Sequence, residues 1–445
     1  SISAAAKLGE LLDIAALIDR DAGQDRFEID RVTIHLGTGR ALLSTVPGIF
    51  IDGRIDQLYL GDWLDLRLGE GGWFTANLKS ASVQADAVMA FGQLIRDVTA
   101  SLQQSGDNWL VDLQSPAVEG AVSVPRNLGG DAPIALDMSR LRLLEADPDT
   151  TGQADPSAIP ALRVRATEFA RGDRQFGALE ADIVRLPDGI VISRIATAAD
   201  AFAVTGNGQW VLDPVEEEGS RTSMQASVRS TDVKRMMSSL GYAPGINAES
   251  LTSTLDVSWA GGPDEDFVAS LDGTVSVSIG NGTLDEVEPG AGRVVGLISI
   301  AELPRRLSLD FRDVFQKGFS FDEINGDFRL VNGDAYTCNL SLKGSSADVG
   351  IIGRASLDRR NYNQTAVVSV KVGNTLPAVG AVVAGPLVGA ALLLFSQIFK
   401  KPLRGMTEVY YQINGGWDEP SIDRTDAARF VATSELAGCL VDNIG

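Results

Sequence analysis

Through much of this chain apolar and polar residues take turns, and a period of two dictates strands with one oily face and one wet face. Leu162, Val164 and Ala166 alternate with Arg163, Arg165 and Thr167, and Leu255, Val257 and Trp259 with Thr254, Asp256 and Ser258. Val275, Val277 and Ile279 alternate with Thr274, Ser276 and Ser278. Tyr336, Cys338, Leu340 and Leu342 do so with Thr337, Asn339, Ser341 and Lys343. Between such runs stand Gly206-Asn207-Gly208, Gly280-Asn281-Gly282, Asp188-Gly189 and Asn332-Gly333-Asp334, sequences that accept positive φ and close hairpins. A long antiparallel meander is the expected architecture.

Few segments change the period. Within residues 1–24, Leu8, Leu11, Leu12, Ala15, Leu17 and Ile18 fall near one another at helical spacing and predict a helical segment. Asp232 is placed to cap a second helix whose stripe is Val233, Met236, Met237 and Leu240. All six tryptophans stand close to Gly, Asn or Asp, as bulky anchors at strand ends do.

A formal charge of −21 would repel a phosphate backbone, and no basic stripe interleaved with aromatics offsets it, so nucleic acid is not an expected partner. Cys338 and Cys439 are too few for a disulfide framework and lack the spacing of a zinc site. An oxidising compartment is permitted by them. The chain begins at Ser1 with no signal-like segment, so it reads as a fragment whose export signal or anchor lies upstream.

The chemistry-bearing residues form no recognisable catalytic set. His35 is the sole histidine and sits in the alternating run Val32 to Leu36, with no nucleophile elbow beside it. It reads as a strand-surface residue. No phosphate-binding loop is present, and no cofactor is expected. Glu216 to Glu218 read as a solvated loop, and Arg305, Arg306, Asp310, Arg312 and Asp313 as a structural ion-pair network. The chain is expected not to be an enzyme.

Leu376 to Phe399 carries no charge over 24 positions and is followed by Lys400, Lys401 and Arg404. It is long enough to span a bilayer, yet Pro377, Pro386 and three glycines divide it into two short apolar pieces. The expected form is a broken helical hairpin. Leu387, Val388, Leu392, Leu393, Phe395, Ile398 and Phe399 would form its apolar surface, and the three cations would meet anionic head groups.

From Gly290 onward the sequence resembles the YhdP-like proteins of the AsmA-like superfamily. The carriers are Arg306 to Phe315 (RLSLDFRDVF), Gly318 to Asp322 (GFSFD), the uncharged segment, and Tyr411 to Pro420 (YQINGGWDEP). Fainter likeness runs through 47–66, 108–125, 155–166 and 239–263, whereas 425–445 differs from the family's usual ending. The resemblance implies a mainly β fold, an elongated, curved antiparallel sheet forming a taco-like groove, with a few short helices and a C-terminal apolar hairpin. The implied organisation is a β-groove region over 25–290, a C-terminal region over 291–424 with its hairpin at 376–399, and a tail of unclear role at 425–445.

Function follows as an expectation of the same resemblance. The groove would carry phospholipid acyl chains between inner and outer membranes, without catalysis, and help maintain the outer-membrane permeability barrier. Candidate lining residues are Val257, Val275, Val277, Ile279, Leu340, Leu342, Val368 and Val370. The protein would be periplasmic, tethered by an inner-membrane anchor upstream, with its C-terminal hairpin touching a membrane surface near the outer membrane. An envelope scaffold with a filled core, or a β-helix carbohydrate-active enzyme, are the alternatives.

Overall fold

The computed structural model describes residues 2–21, 26–60, 77–90, 93–126, 132–144, 155–213, 219–242, 245–263, 267–284, 319–370, 407–417 and 419–425. The chain divides into two compact units, Ser1–Ser193 and Arg194–Gly445, each built from sheet. The boundary expected at 290/291 and the hairpin at 376–399 lie outside the described residues.

In the first unit eleven strands follow one another in chain order: β1 (Ile2–Leu8), β2 (Leu12–Asp21), β3 (Arg26–Leu36), β4 (Gly48–Tyr59), β5 (Leu78–Ala90) and β6 (Gln93–Ser105). They continue with β7 (Asn108–Gln114), β8 (Val118–Pro125), β9 (Ile134–Leu143), β10 (Leu162–Arg171) and β11 (Arg174–Leu186). Each pairs with the next. Pairing is antiparallel except at β3–β4, β4–β5 and β9–β10, which are parallel. That departs from a pure meander, and the reason is connection length. Residues 37–47, 60–77 and 144–161 are long enough for the chain to return to the strand's starting end, which takes about a dozen residues. The first of these crossovers lies on the polar face, where Ala41 N donates to Asp13 Oδ1 at 3.0 Å and Arg31 Nη1 donates to the Ser44 carbonyl at 3.3 Å.

The segment read as a helix at residues 1–24 is instead the hairpin β1–β2, with Leu8 opposite Leu12 and Gly9 at φ 59° in the turn. Its sequence satisfies both periods, since Ala4, Ala6 and Leu8 also recur at every second place, as do Leu12, Ile14 and Ala16. The free edge of β3 decides between them. Ten backbone-paired positions join β2 to β3 from Leu12–Leu36 to Asp21–Arg26, and an isolated short helix has no such gain.

The strand β12 (Gly189–Ala198) carries the division between the units. Beyond it the second unit contains β13 (Phe202–Leu212), β14 (Ser220–Ser230), a helix α1 (Val233–Ser239), β15 (Ile246–Ala248), β16 (Leu251–Ala260), β17 (Asp272–Ile279) and β18 (Gly282–Leu284). It ends with β19 (Phe319–Val331), β20 (Asp334–Gly344), β21 (Ala347–Ser356), β22 (Asn361–Val370), β23 (Thr407–Gly416) and β24 (Ser421–Thr425). The ladder runs β13-β14-β16-β17-β19-β20-β21-β22-β23-β24, antiparallel throughout, while β15 and β18 extend it beside one end of β19. Helix α1 forms as its sequence predicts: Asp232 accepts from Arg235 N at 2.9 Å, and Val233, Met236 and Met237 are buried.

Turn chemistry agrees with the structure at Asn332-Gly333, whose φ values of 48° and 74° close the two-residue turn between β19 and β20. It does not at Gly206-Asn207-Gly208. Those residues lie inside β13 and pair with Ala226, Gln225 and Met224. A Cβ on Gly206 would crowd the Gln225 carbonyl and Ala226, so a close backbone approach, not a turn, calls for the glycine.

Burial is uneven along the second unit. Ile324, Leu340, Leu342, Ile351, Ala366, Val368 and Tyr411 are at most 1% exposed, whereas Val204, Val228 and Leu255 are only half-buried. Leu340→Ala should therefore cost about 2–5 kcal/mol and Val228→Ala about 1 kcal/mol, read from urea unfolding of the two variants against the parent. Equal losses would contradict the gradient.

Candidate functional site: one uncharged face

Register and pleat together assign every strand residue to a face. In the second unit one rung of aligned residues reads Phe202, Ser230, Leu251, Ile279, Ile324, Leu342, Val349, Val368 and Val409. Another reads Gly206, Ala226, Leu255, Val275, Phe328, Thr337, Gly353, Gln364 and Ile413. From β13 to β23 this face holds no charged residue among those described. The rung Trp210, Thr222 and Trp259 closes one end, with Trp210 Nε1 donating to Ser220 Oγ at 2.9 Å and Trp259 Nε1 to the Gly262 carbonyl at 3.0 Å. Both indole N–H groups are thereby satisfied, so the rings present only hydrocarbon and π surface.

Seven of the eight expected lining residues, Val257, Val275, Val277, Ile279, Leu340, Leu342 and Val368, occupy this face together; for Val370 the backbone pairing with Ala347 is defined. The sequence reading misplaced Tyr336, Thr337 and Cys338. A bulge between Thr337 and Leu340 breaks the alternation, so Thr337 shares the apolar face with Phe328, and Tyr336 turns to the polar face opposite Arg329 and Arg354. Ile324, Phe328, Leu330 and Ile351 were missed as lining. Phe328 and Leu330 alternate visibly with Asp327 and Arg329, which would have revealed them.

The first unit repeats the arrangement. Ile14, Ile34 and Ile51 form one rung with Ala6 and Ala81, and further along Leu113 aligns with Ala100 and Gly120. Leu36, Ile49 and Ile51 are buried against Leu12, Val32, Ile34, Ile55 and Val83. Across β6 to β9 the same face is only half-buried at Leu102, Val111, Leu113, Val122 and Leu136.

The opposite faces are ionic. Arg140 bridges Glu119 and Glu168 at 3.1 and 3.2 Å, Arg54 meets Asp86 at 2.6 Å, and Arg163 meets Asp182 at 3.3 Å. In the second unit Ser276 donates to Asp327 at 2.6 Å, and Gln225 to Asp256 at 3.0 Å. Lys343 pairs with Glu323 directly across β19–β20 and holds that carboxyl below its usual range. Such cross-strand pairs each add little, about 0.2–1 kcal/mol, but they fix which face meets water.

His35 belongs to this polar side. Its Nδ1 bonds Asp52 on β4, and Asp13 stands opposite on β2. The hydrogen bond to Asp52 raises the imidazole above its ordinary value of 6.5. His35 is thus a strand-surface residue tied to a carboxylate, turned away from the apolar face. The residues Glu216 to Glu218, the Arg305 to Asp313 cluster, and Leu387, Val388, Leu392, Leu393, Phe395, Ile398, Phe399, Lys400, Lys401 and Arg404 lie outside the described residues. Among the described residues, no helix is long and apolar enough to cross a membrane.

Two mainly β units, the second with a face that holds no charge among its described residues from β13 to β23 and an ionic face behind it, define a long-sheet class of protein. The sequence profile of the YhdP protein family matches residues 1–422, and the chain belongs to that family. It is similar to the intermembrane phospholipid transporter YhdP of Escherichia coli (strain K12), with 26% identity over 374 residues that cover 79% of this chain and 29% of the relative. The chain therefore spans less than a third of that relative's length. No solved structure matches.

The His35–Asp52 pair has a definite pH signature. Because the folded value is raised, the stability it adds is complete below the ordinary value of 6.5 and is lost as pH rises through the folded value. The melting difference between the parent and His35→Ala should shrink on raising the pH across that range. A difference that grows with pH would contradict the pairing.

Proposed function

We propose that the uncharged faces form the lining of a groove that carries phospholipid acyl chains through the envelope, without catalysis. The observation that carries this reading is a face free of charge from β13 to β23 that stays half-buried over β13, β14 and β16, and again over β6 to β9 in the first unit. A filled core would bury those side chains; hydrocarbon in contact with them would do the same. Each acyl methylene taken from water gains about 0.8 kcal/mol, so a chain of ordinary length needs no specific pocket to be held. Membership of the YhdP family and similarity to an intermembrane phospholipid transporter support lipid as the cargo, with inner and outer membranes as its source and destination.

The scaffold reading keeps a place for one part of the molecule. Over β20 to β23 the apolar face is fully buried, so this part serves as a packed end and the conducting surface lies toward β13. Localisation to the periplasm, an inner-membrane tether, and a role in the outer-membrane permeability barrier complete the proposal.

Photocrosslinkers placed at Val204, Val228, Leu255 and Val277 should capture phospholipid, and those at Thr205, Thr254 and Ser276 on the polar face should not. Equal capture from both faces would sink the groove. The segment Leu376–Phe399 is proposed, on its sequence, to enter a bilayer. Leu393→Asp should then cost about 2–3 kcal/mol of insertion and abolish flotation with liposomes while the thermal melt is unchanged. A collapsed melt would place the segment inside the protein instead.

A further inference from the structure

The first crossover, residues 37–47, folds back over the polar face of β2 and β3 and is tied there at three places. At its far end Arg31 Nη1 donates to the Ser44 and Thr45 carbonyls at 3.3 and 3.4 Å, and midway Ala41 N donates to Asp13 Oδ1 at 3.0 Å. At its near end the tie is His35, whose Nδ1 bonds Asp52 and whose Nε2 lies 3.4 Å from the Thr38 carbonyl oxygen. Gly39 rests on the same ring, since a Cβ at that position would collide with Nε2. Thr33 stands between Arg31 and His35 on the polar side of β3, yet it is only 2% exposed. On its outer side the crossover carries Leu42, Leu43 and Val46, all exposed.

This arrangement sets a proton count. Both partners of the ring are acceptors, a carboxylate at Nδ1 and a carbonyl at Nε2. A neutral imidazole has one N–H and serves one of them, whereas the imidazolium has two and serves both. In the neutral ring the carboxylate keeps the proton on Nδ1, and the Nε2 lone pair then confronts the lone pairs of the Thr38 oxygen. Attraction at the near end becomes repulsion.

The charged groups on the elements around the ring are Lys7 on β1, Glu10 in the β1–β2 turn, Asp13 on β2, Arg31 on β3, Asp52 and Arg54 on β4, and Arg40 in the crossover. Lys7, Asp13, His35 and Asp52 share one rung, while Arg31 pairs with Asp30 and Arg54 with Asp86. The hydrogen bond to Asp52 raises the imidazole above 6.5; burial opposes this, and the Thr38 carbonyl and the charges of Asp52 and Asp13 add to it.

We propose that His35 is a pH-operated clasp, holding the near half of the crossover to the polar face when its ring is doubly protonated and releasing it when the ring loses a proton. The clasped form binds the proton more tightly than the open one, so closure is favoured below the ordinary imidazole value and lost as pH rises through the folded value. Release frees Leu42 and Leu43 and uncovers Thr33, while Arg31, which does not titrate in this range, keeps the far half tied. His35 is the only histidine of the chain, so no second imidazole copies the response.

Amide hydrogen exchange of the parent, corrected for the intrinsic rate at each pH, reads the clasp directly. Protection across residues 37–43 should fall about fivefold or more between about pH 5.5 and about pH 8.5, while that of β2 and β3 stays level. The midpoint should coincide with the titration of the single imidazole followed by NMR. In Gly39→Ala the added methyl pushes the crossover off an intact ring, so low protection is expected at both pH values. In His35→Gln, whose amide does not titrate, protection should be the same at both. Protection of 37–43 that ignores pH in the parent, a midpoint apart from the imidazole titration, or a parent-like pH response in either variant would each overturn the proposal. The parent's exchange profile and imidazole titration decide the matter even where a variant does not fold.

Discussion

Strand register is the constraint on which everything else in this molecule depends. Side chains alternate with a period of two, so a slip of one residue in any ladder would carry a strand's valines into water and its acids into the lining. The pairings are long, eleven positions between β13 and β14 and ten between β21 and β22, and the ionic rungs on the polar face favour one alignment over the slipped ones. Arg140 facing Glu119 and Glu168 is a case: shifting β9 by one position would set Ser139 or Leu141 against those acids. Bulges are the exceptions, and the structure absorbs each locally. At Thr337 to Leu340 two residues are spent on the polar side, which returns Leu340 to the apolar face and frees Cys338 to point the other way.

One pattern yields two physical outcomes along the second unit. Near β13 and β14 the apolar face is lined partly by backbone, because Gly206 and Gly208 expose their own Cα atoms beside Ala226 and Met224, and side chains there stay half-buried. Near β21 to β23 the same rungs carry Val349, Val368, Val409 and Tyr411, whose bulk fills the space between them, and exposure falls to 3% or less. Side-chain volume on a shared register thus differs between the half-buried part and the packed part. Small residues leave room beside the sheet and large ones consume it.

What the sequence made legible follows from this. Strands with one wet face were readable, as Val275 to Ile279 and Leu162 to Ala166 demonstrate, because solvent keeps their alternation clean. The seven lining residues came with them. The hairpin β1–β2 was not readable, since Leu8, Leu11, Leu12 and Ala15 satisfy a helical stripe and only the edge of β3, brought alongside by the tertiary fold, decides the matter. Parallel neighbours such as β4 and β5 leave no local trace, because their pairing depends on where a long connection returns. The bulge at Thr337 was hidden for a similar reason: Tyr336 to Lys343 alternates perfectly by composition, and the extra residue shows only against Phe328 and Gly353 on the flanking strands.

A sheet with an uncovered apolar face is a hazard in water, and the charge distribution bears on it. The net charge of −21 opposes the approach of a second copy, and in the second unit no charge lies on the apolar face among the described residues from β13 to β23. Repulsion of this kind acts over about 8–10 Å at physiological salt, about the spacing of two stacked sheets, so it weighs against face-to-face stacking. It does nothing to hydrocarbon, which carries no charge to repel. The proposed groove would therefore resist its own kind and still accept an acyl chain, a selectivity that arises from placing acids and apolar residues on opposite sides of one pleat.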